Sequence, residues 1–244
     1  MPPPKYLDQA NRLIAALSSD FRAVVLERCE LVELEREDVL TQAGQYTEHL
    51  YFPIDSYVAL IFNLEDSYRL QVGLTGNEGM TNASVLLGPR VATLTTVVQA
   101  AGRAFQISCG DVQELLDSNE AMKRVLHGYM ALSLDQLARN MACAGIHTVE
   151  QRLSRWLLVA KDCTHSKELF LTHADLASIL GVRRERVTPV ASLLQKNGLI
   201  HYNRGHVTIT DEAGLQALAC KCYVASMAAY KNNLGRANPE LSVI

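Results

Sequence analysis

The segment LTHADLASILGVRRERVTPVASLLQKNGLI, residues 171–200, constrains this chain more than any other. Thr172 and Asp175 have the N-cap and N3 spacing of a capping box, so a helix starts there. Leu176, Ala177, Ile179 and Leu180 supply a short apolar face. Gly181 stands where that helix must stop, because glycine accepts a positive φ without Cβ strain. Val182 can anchor the turn in a core. A second helix is predicted from Arg183 or Arg184 to Asn197, with Gly198 as its stop and Val187, Val190, Ala191 and Leu194 as its buried side. Helix, short glycine turn and second helix make a helix-turn-helix. LIHYNRGHVTIT follows and reads as a β-hairpin turning at Asn203-Arg204-Gly205, which would form a wing.

The residue types at the tip of the second helix suit nucleic acid. Arg184, Glu185 and Thr188 are the exposed positions there, with Arg183 and Arg186 beside them. In a helix-turn-helix these residues face base edges in the major groove. Arginine can donate two bonds to guanine, and glutamate can accept from cytosine. Thr172, the first helix's N-terminus and the neighbouring arginines can bind phosphates, as can Arg204 and His206 on the wing. Residues 172–206 hold five Lys+Arg against two acids. The net charge of −3 splits into −7 over residues 1–142 and +4 over residues 143–244, which suggests two modules, the second tolerating a polyanion. The plainer alternative is a helical hairpin with a solvated basic face.

The rest of the chain predicts an α+β fold. Leu13, Ile14, Leu17, Phe21, Val24 and Val25 have helical spacing. From Leu31 the texture becomes β: LVELE, VLTQAGQ, LYFPIDSYVALIFNL interrupted at Pro53, YRLQVGLTG, VATLTTVVQA and AFQIS fit a β-sandwich or β-roll. A long helix is predicted over about 119–142, spanning ~36 Å. It carries two apolar stripes: Met122, Val125, Tyr129 and Leu132, and Leu126, Met130, Leu134, Leu137 and Met141. One stripe can pack on the β-domain. The other needs a partner, either a twin helix in a homodimer or a further element of the same chain. Ala144-Gly145-Ile146 reads as a hinge. Thr148 and Gln151 then cap a helix, TVEQRLSRWLLVA. A final helix is expected from Gly214 to about Tyr230. The expected units are therefore a β-domain with its long helix (1–142), a helix-turn-helix domain (143–231) and a flexible tail (232–244).

Several functions find no support in the residues. Six cysteines (29, 109, 143, 163, 220, 222) show neither a disulfide framework nor paired zinc spacing, and no metal ligands are expected among them. Cys220 and Cys222 lie two apart on the predicted last helix, so their side chains should diverge. No Ser-His-Asp set, P-loop or dinucleotide fingerprint is present, so the chain does not read as an enzyme. No run of 18 apolar residues and no leader-like N-terminus occur, so a cytoplasmic protein with no membrane partner is expected.

With these motifs in place, the chain resembles the Crp/Fnr family of bacterial transcription regulators. LTHADLASILGVRRERVT, TVEQRLSRWLL and the NRGHVTIT wing carry the resemblance, supported by VLTQAGQ and LYFPIDSYV. It implies a cyclic-nucleotide-binding-like β-roll, a homodimer joined along the long helix, and a winged helix-turn-helix that reads near-palindromic double-stranded DNA. It also implies RNA polymerase as a partner. Base contact carries over to Arg184 and Glu185, whereas the family's third reader falls on Pro189, which would kink a helix there. In the sensor half, Glu78 and Arg90 are the candidate effector-binding residues, within GLTGNEGMTNASVLLGPRVATL. Glu78 follows Asn77 rather than glycine, and Arg90 precedes Val91 rather than Ser or Thr, so a cyclic nucleotide is not expected. Only Cys29 lies near the N-terminus, so an iron–sulfur cluster is not expected either. A small-molecule sensor whose helix-turn-helix mediates protein contacts is the alternative.

Overall fold

The computed structural model describes residues 10–64 and 68–237. Two short helices, α1 (Arg12–Ala15) and α2 (Ser19–Glu27), precede seven strands: β1 (Glu30–Leu34), β2 (Val39–Thr41), β3 (His49–Pro53), β4 (Tyr57–Leu64), β5 (Tyr68–Thr75), β6 (Thr95–Ala100) and β7 (Gly102–Ser108). The strands form two antiparallel sheets, ordered β1-β7-β3 and β2-β6-β4-β5. This is the expected β-roll. Pro53 ends β3, as its missing N–H would suggest.

Leu50, Phe105 and Ile107 from the first sheet, with Leu13 and Ile14 from α1, form a buried core. Asn11, itself buried, fixes α1 onto the sheets. Its Oδ1 accepts from the backbone N–H groups of Leu13 and Ile14. Its Nδ2 donates to the Pro53 carbonyl at 2.9 Å and the Gly79 carbonyl at 2.8 Å. Every hydrogen-bonding function of this buried amide is thus used.

Helix α3 (Cys109–Ser118) leads into α4 (Glu120–Ile146), which is longer than expected. The predicted hinge at 144–146 is helical. One glycine inside a helix costs only about 1 kcal/mol, and the chain breaks instead at His147, which is extended. Thr148 then starts α5 (Val149–Thr164) with the capping box read from sequence. Met122, Tyr129 and Leu132 of the first stripe are buried in the β-roll core, joined by Leu126 from the second. Leu134 and Met141 face solvent at 58% and 80% exposure. They belong to an outward row His127, Ala131, Leu134, Ala138, Met141 and Gly145, spaced alternately by four and three.

The C-terminal half continues as β8 (Glu168–Phe170), α6 (His173–Leu180), a 3₁₀ turn (Arg184–Arg186), α7 (Val187–Lys196), β9 (Ile200–Asn203), β10 (His206–Ile209), α8 (Glu212–Leu218) and α9 (Cys222–Ala237). β8 adds a third strand to the expected hairpin, giving the order β8-β10-β9. Trp156, Leu157, Leu176, Val187, Leu194 and Ile209 centre its core.

The single final helix expected from Gly214 is two helices. Ala219 is extended and Cys220 is buried, which breaks the run and sends α9 back along α4. The tail expected from 232 is helical to Ala237, while residues 238–244 lie outside the described residues.

The two halves are in contact. Tyr57 of β4 meets Trp156 of α5 edge to face at 5.9 Å. The Ser178 hydroxyl on α6 donates to the Arg69 carbonyl on β5 at 3.0 Å.

Candidate nucleic-acid interface

Helix α6 begins with the capping box that the sequence predicts. Asp175 N–H donates to Thr172 Oγ1 at 3.1 Å, and Thr172 N–H donates to Asp175 Oδ2 at 2.8 Å. It ends at Gly181, in the left-handed region at φ +59°. Arg183 is extended, so the chain turns sharply before the 3₁₀ turn and α7. Arg152 on α5 donates to the Leu180 carbonyl, which secures the end of α6 against the domain core. Val187, Val190, Ala191 and Leu194 are buried, as their spacing requires.

This packing turns the opposite side of the tip outward. Arg183, Arg184, Glu185, Arg186 and Thr188 are all exposed. Among the described residues, no side-chain hydrogen bond or ion pair engages any of these five. Two arginines flank a carboxylate on one short exposed arc, and the rest of the tip carries no competing acid. Such an arc can donate to guanine edges or phosphates and accept from cytosine.

Pro189 does not kink the middle of a helix as expected. Regular α-helix starts at Val187, so Pro189 lies in the first turn of α7, where a backbone N–H has no intrahelical acceptor.

On the wing, Arg204 and Gly205 both have positive φ, 48° and 88°, the signature of a type I′ turn between β9 and β10. Arg204 is exposed at its tip. An arginine in the left-handed region is uncommon, since asparagine or glycine holds that conformation at lower cost.

Thr172 sits differently from the other predicted contacts. It is half-buried, and its hydroxyl donates to Asp175 Oδ2 at 2.9 Å. That carboxylate is also 2.8 Å from Arg36 Nη2, in the turn between β1 and β2. The Arg36 guanidinium lies over the Phe170 ring, 4.6 Å from its centroid. The β-roll therefore grips the start of α6 and the wing sheet through one arginine. Sequence spacing gives no hint of it, because the partners are 139 residues apart.

Glu78 and Arg90 are not brought together. Glu78 is buried beneath α5, where Oε1 accepts from Gly76 N–H at 3.0 Å and Oε2 faces the Cys163 thiol at 3.6 Å. Burial raises its pKa, partly offset by these bonds and by Arg12. Arg90 lies instead near Cys109. Gly76 and Gly79 are close-approach positions: a Cβ would strike Cys163 of α5 at the first and Tyr129 of α4 at the second. The glycine-rich stretch is used to pack two helices against the β-roll.

Residues 151–218 match the Crp-like helix-turn-helix domain model. This part of the chain is a Crp-like helix-turn-helix domain. The whole fold agrees with it. A putative transcriptional regulator of the Crp/Fnr family from Eubacterium rectale superposes with a TM-score of 0.66 at 15% identity, covering 86% of this chain and 98% of that one. FixK2 from Bradyrhizobium japonicum gives 0.66 at 15%, covering 79% and 98%. The c-di-GMP responsive regulator CLP from Xanthomonas campestris gives 0.64 at 18%, covering 80% and 100%. These likenesses establish the fold: a β-roll, a long helix and a Crp-like domain in that order. No curated protein sequence matches the chain. Among the described residues, no helix is long and apolar enough to cross a membrane.

Proposed function

We propose that the chain is a transcription regulator that binds specific double-stranded DNA as a homodimer. The observation that carries this reading is the unengaged, exposed arc of Arg183, Arg184, Glu185, Arg186 and Thr188 at the tip of α7 in a Crp-like domain. Arg184 and Glu185 read base edges, while Arg183, Arg186 and Arg204 meet phosphates and set register. Thr172 contributes by fixing the α6 N-terminus that faces a phosphate, since its hydroxyl and its N–H are both committed to Asp175.

The dimer forms along α4. The outward row from His127 to Gly145 has the 3.5-residue repeat of a coiled-coil seam, and it leaves Leu134 and Met141 in water in a single chain. A twin helix buries them and sets two recognition tips about one helical turn apart, roughly 34 Å. The β-roll is the sensing half, and the Arg36 grip on α6 is the contact through which it biases the Crp-like domain. RNA polymerase is the further protein partner, and the cytoplasm the site of action.

A genome-wide binding selection with the full chain tests this. The expected product is a near-palindrome with half-site centres about 10 base pairs apart. Enrichment of no motif at all would refute sequence-specific binding and favour a sensor whose helix-turn-helix contacts protein.

A further inference from the structure

Three cysteines and one histidine from separate segments converge where the two halves meet. Cys143 and His147 are one turn apart at the end of α4, and Cys220 and Cys222 bracket the link between α8 and α9. Their ligand atoms, three Sγ and one imidazole nitrogen, all lie within 4.8 Å of one another. Cys143 Sγ is 3.5 Å from Cys220 Sγ, and Cys222 Sγ is 3.7 Å from His147 Nδ1. A tetrahedral ion with metal–sulfur bonds of ~2.3 Å and a metal–nitrogen bond of ~2.0 Å needs sulfur–sulfur edges of ~3.8 Å and sulfur–nitrogen edges of ~3.5 Å. The Cys143–Cys220 and Cys222–His147 spacings are within about 0.3 Å of those edges, and the other pairs lie within 4.8 Å.

We propose that Cys143, His147, Cys220 and Cys222 form a tetrahedral site for a single zinc-class divalent cation, which locks the joint between the long helix and the Crp-like domain.

The surroundings suit such an ion. Three thiolates, a neutral imidazole and a divalent cation sum to one negative charge. Arg155 acts on Cys143 and Cys222, and Arg152 is close enough to interact with Cys143 and Cys220. Arg155 is itself tethered to Asn140 Oδ1 at 2.8 Å, one turn before Cys143. The N-terminus of α5 begins directly after His147, and its dipole also favours negative charge.

The α8–α9 link is held rigidly on both sides. Glu212 pairs with Lys161 at 2.6 Å, and the Tyr223 hydroxyl donates to Asp162 at 2.8 Å. The two sulfurs of the link are thereby presented to α4 by a fixed support. Four closely spaced donors, three of them soft sulfurs, suit one borderline-soft ion. A hard cation would select oxygen ligands. Cys143 and Cys220 are buried, whereas His147 and Cys222 reach the surface and give the ion a route in.

The test uses the full chain, purified without oxygen and with a non-thiol reductant. Elemental analysis should find about one zinc per chain. Replacing zinc with cobalt(II) should produce the intense visible bands of tetrahedral cobalt and a thiolate-to-cobalt charge-transfer band in the near ultraviolet. Cys143→Ser and Cys222→Ser should abolish stoichiometric binding, and Cys29→Ala should keep it. A folded wild-type chain that carries no zinc and leaves cobalt with its octahedral aquo spectrum would overturn the proposal. So would ligand variants that bind cobalt as the wild type does. The wild-type cobalt spectrum decides the matter even if a variant fails to fold. None of these readouts depends on DNA.

Discussion

Arg184 and Arg204 are both exposed arginines, yet their substitutions should differ in kind. Arg184 faces base edges in the proposed complex. Arg184→Ala should therefore lose roughly 1–3 kcal/mol and relax preference at one base position. Measured affinities that fall equally for every base substitution would contradict that role.

In the same proposed complex Arg204 meets phosphate, so its loss should weaken all sequences alike and reduce the slope of log affinity against log salt by about 1. Its positive φ makes the choice of variant matter. Arg204→Asn removes the charge and suits the turn, while Arg204→Ala also strains it. Thermal melts should show Asn at or above wild type and Ala below it, with both showing the same change in salt slope.

Glu78 offers a separate check on the interior. Its pKa is raised by burial, so its folded value lies above its unfolded one. Stability from the neutral carboxyl is present at pH below the unfolded value and is lost as pH rises through the folded value. The gain in Tm from Glu78→Gln should thus grow as pH rises above the ordinary carboxylate range. A pH-independent difference would contradict the burial argument.

Among the elements, those with strong local signals were legible in the residues. The capping boxes at Thr172 and Thr148, the stop at Gly181 and the hairpin at Arg204 are local chemistry, and each appears where its residues place it. The break between α8 and α9 was not legible, because Cys220 packs there against Cys143, 77 residues earlier, a contact that local spacing does not encode. The convergence of the four proposed ligands was hidden for the same reason. Cys143 and His147 do show the i, i+4 spacing of two ligands on one helical face, and that signal was available. The misreading of Cys220 and Cys222 as diverging followed from extending a helix through Ala219.

The outward row on α4 carries its own prediction. Leu134→Asp with Met141→Asp should weaken self-association by roughly a hundredfold or more, since each buried side chain is worth about 1.5–3 kcal/mol. Analytical ultracentrifugation measures this directly. An unchanged dissociation constant, or a wild-type monomer at micromolar concentration, would remove α4 as the seam.

At the scale of the whole molecule, the β-roll and the Crp-like domain meet through few but specific contacts. Arg36 is the clearest, because one guanidinium engages both the α6 capping carboxylate and the Phe170 ring. Arg36→Ala should lower hydrogen-exchange protection across α6 by roughly tenfold, equivalent to about 1.4 kcal/mol. Arg36→Lys should restore it only in part, since an ammonium cannot lie flat on the ring. Exchange unchanged by both substitutions would mean that the halves are coupled elsewhere.

The central claim is that paired α7 tips read nucleotide sequence. Fluorescence anisotropy at fixed salt, comparing a selected palindrome with a scrambled duplex of equal length, tests it most directly. Binding at least about a thousandfold tighter to the palindrome is the predicted result, with most of that ratio lost in Arg184→Ala. Equal affinity for the two duplexes, or a ratio untouched by the substitution, would contradict the account.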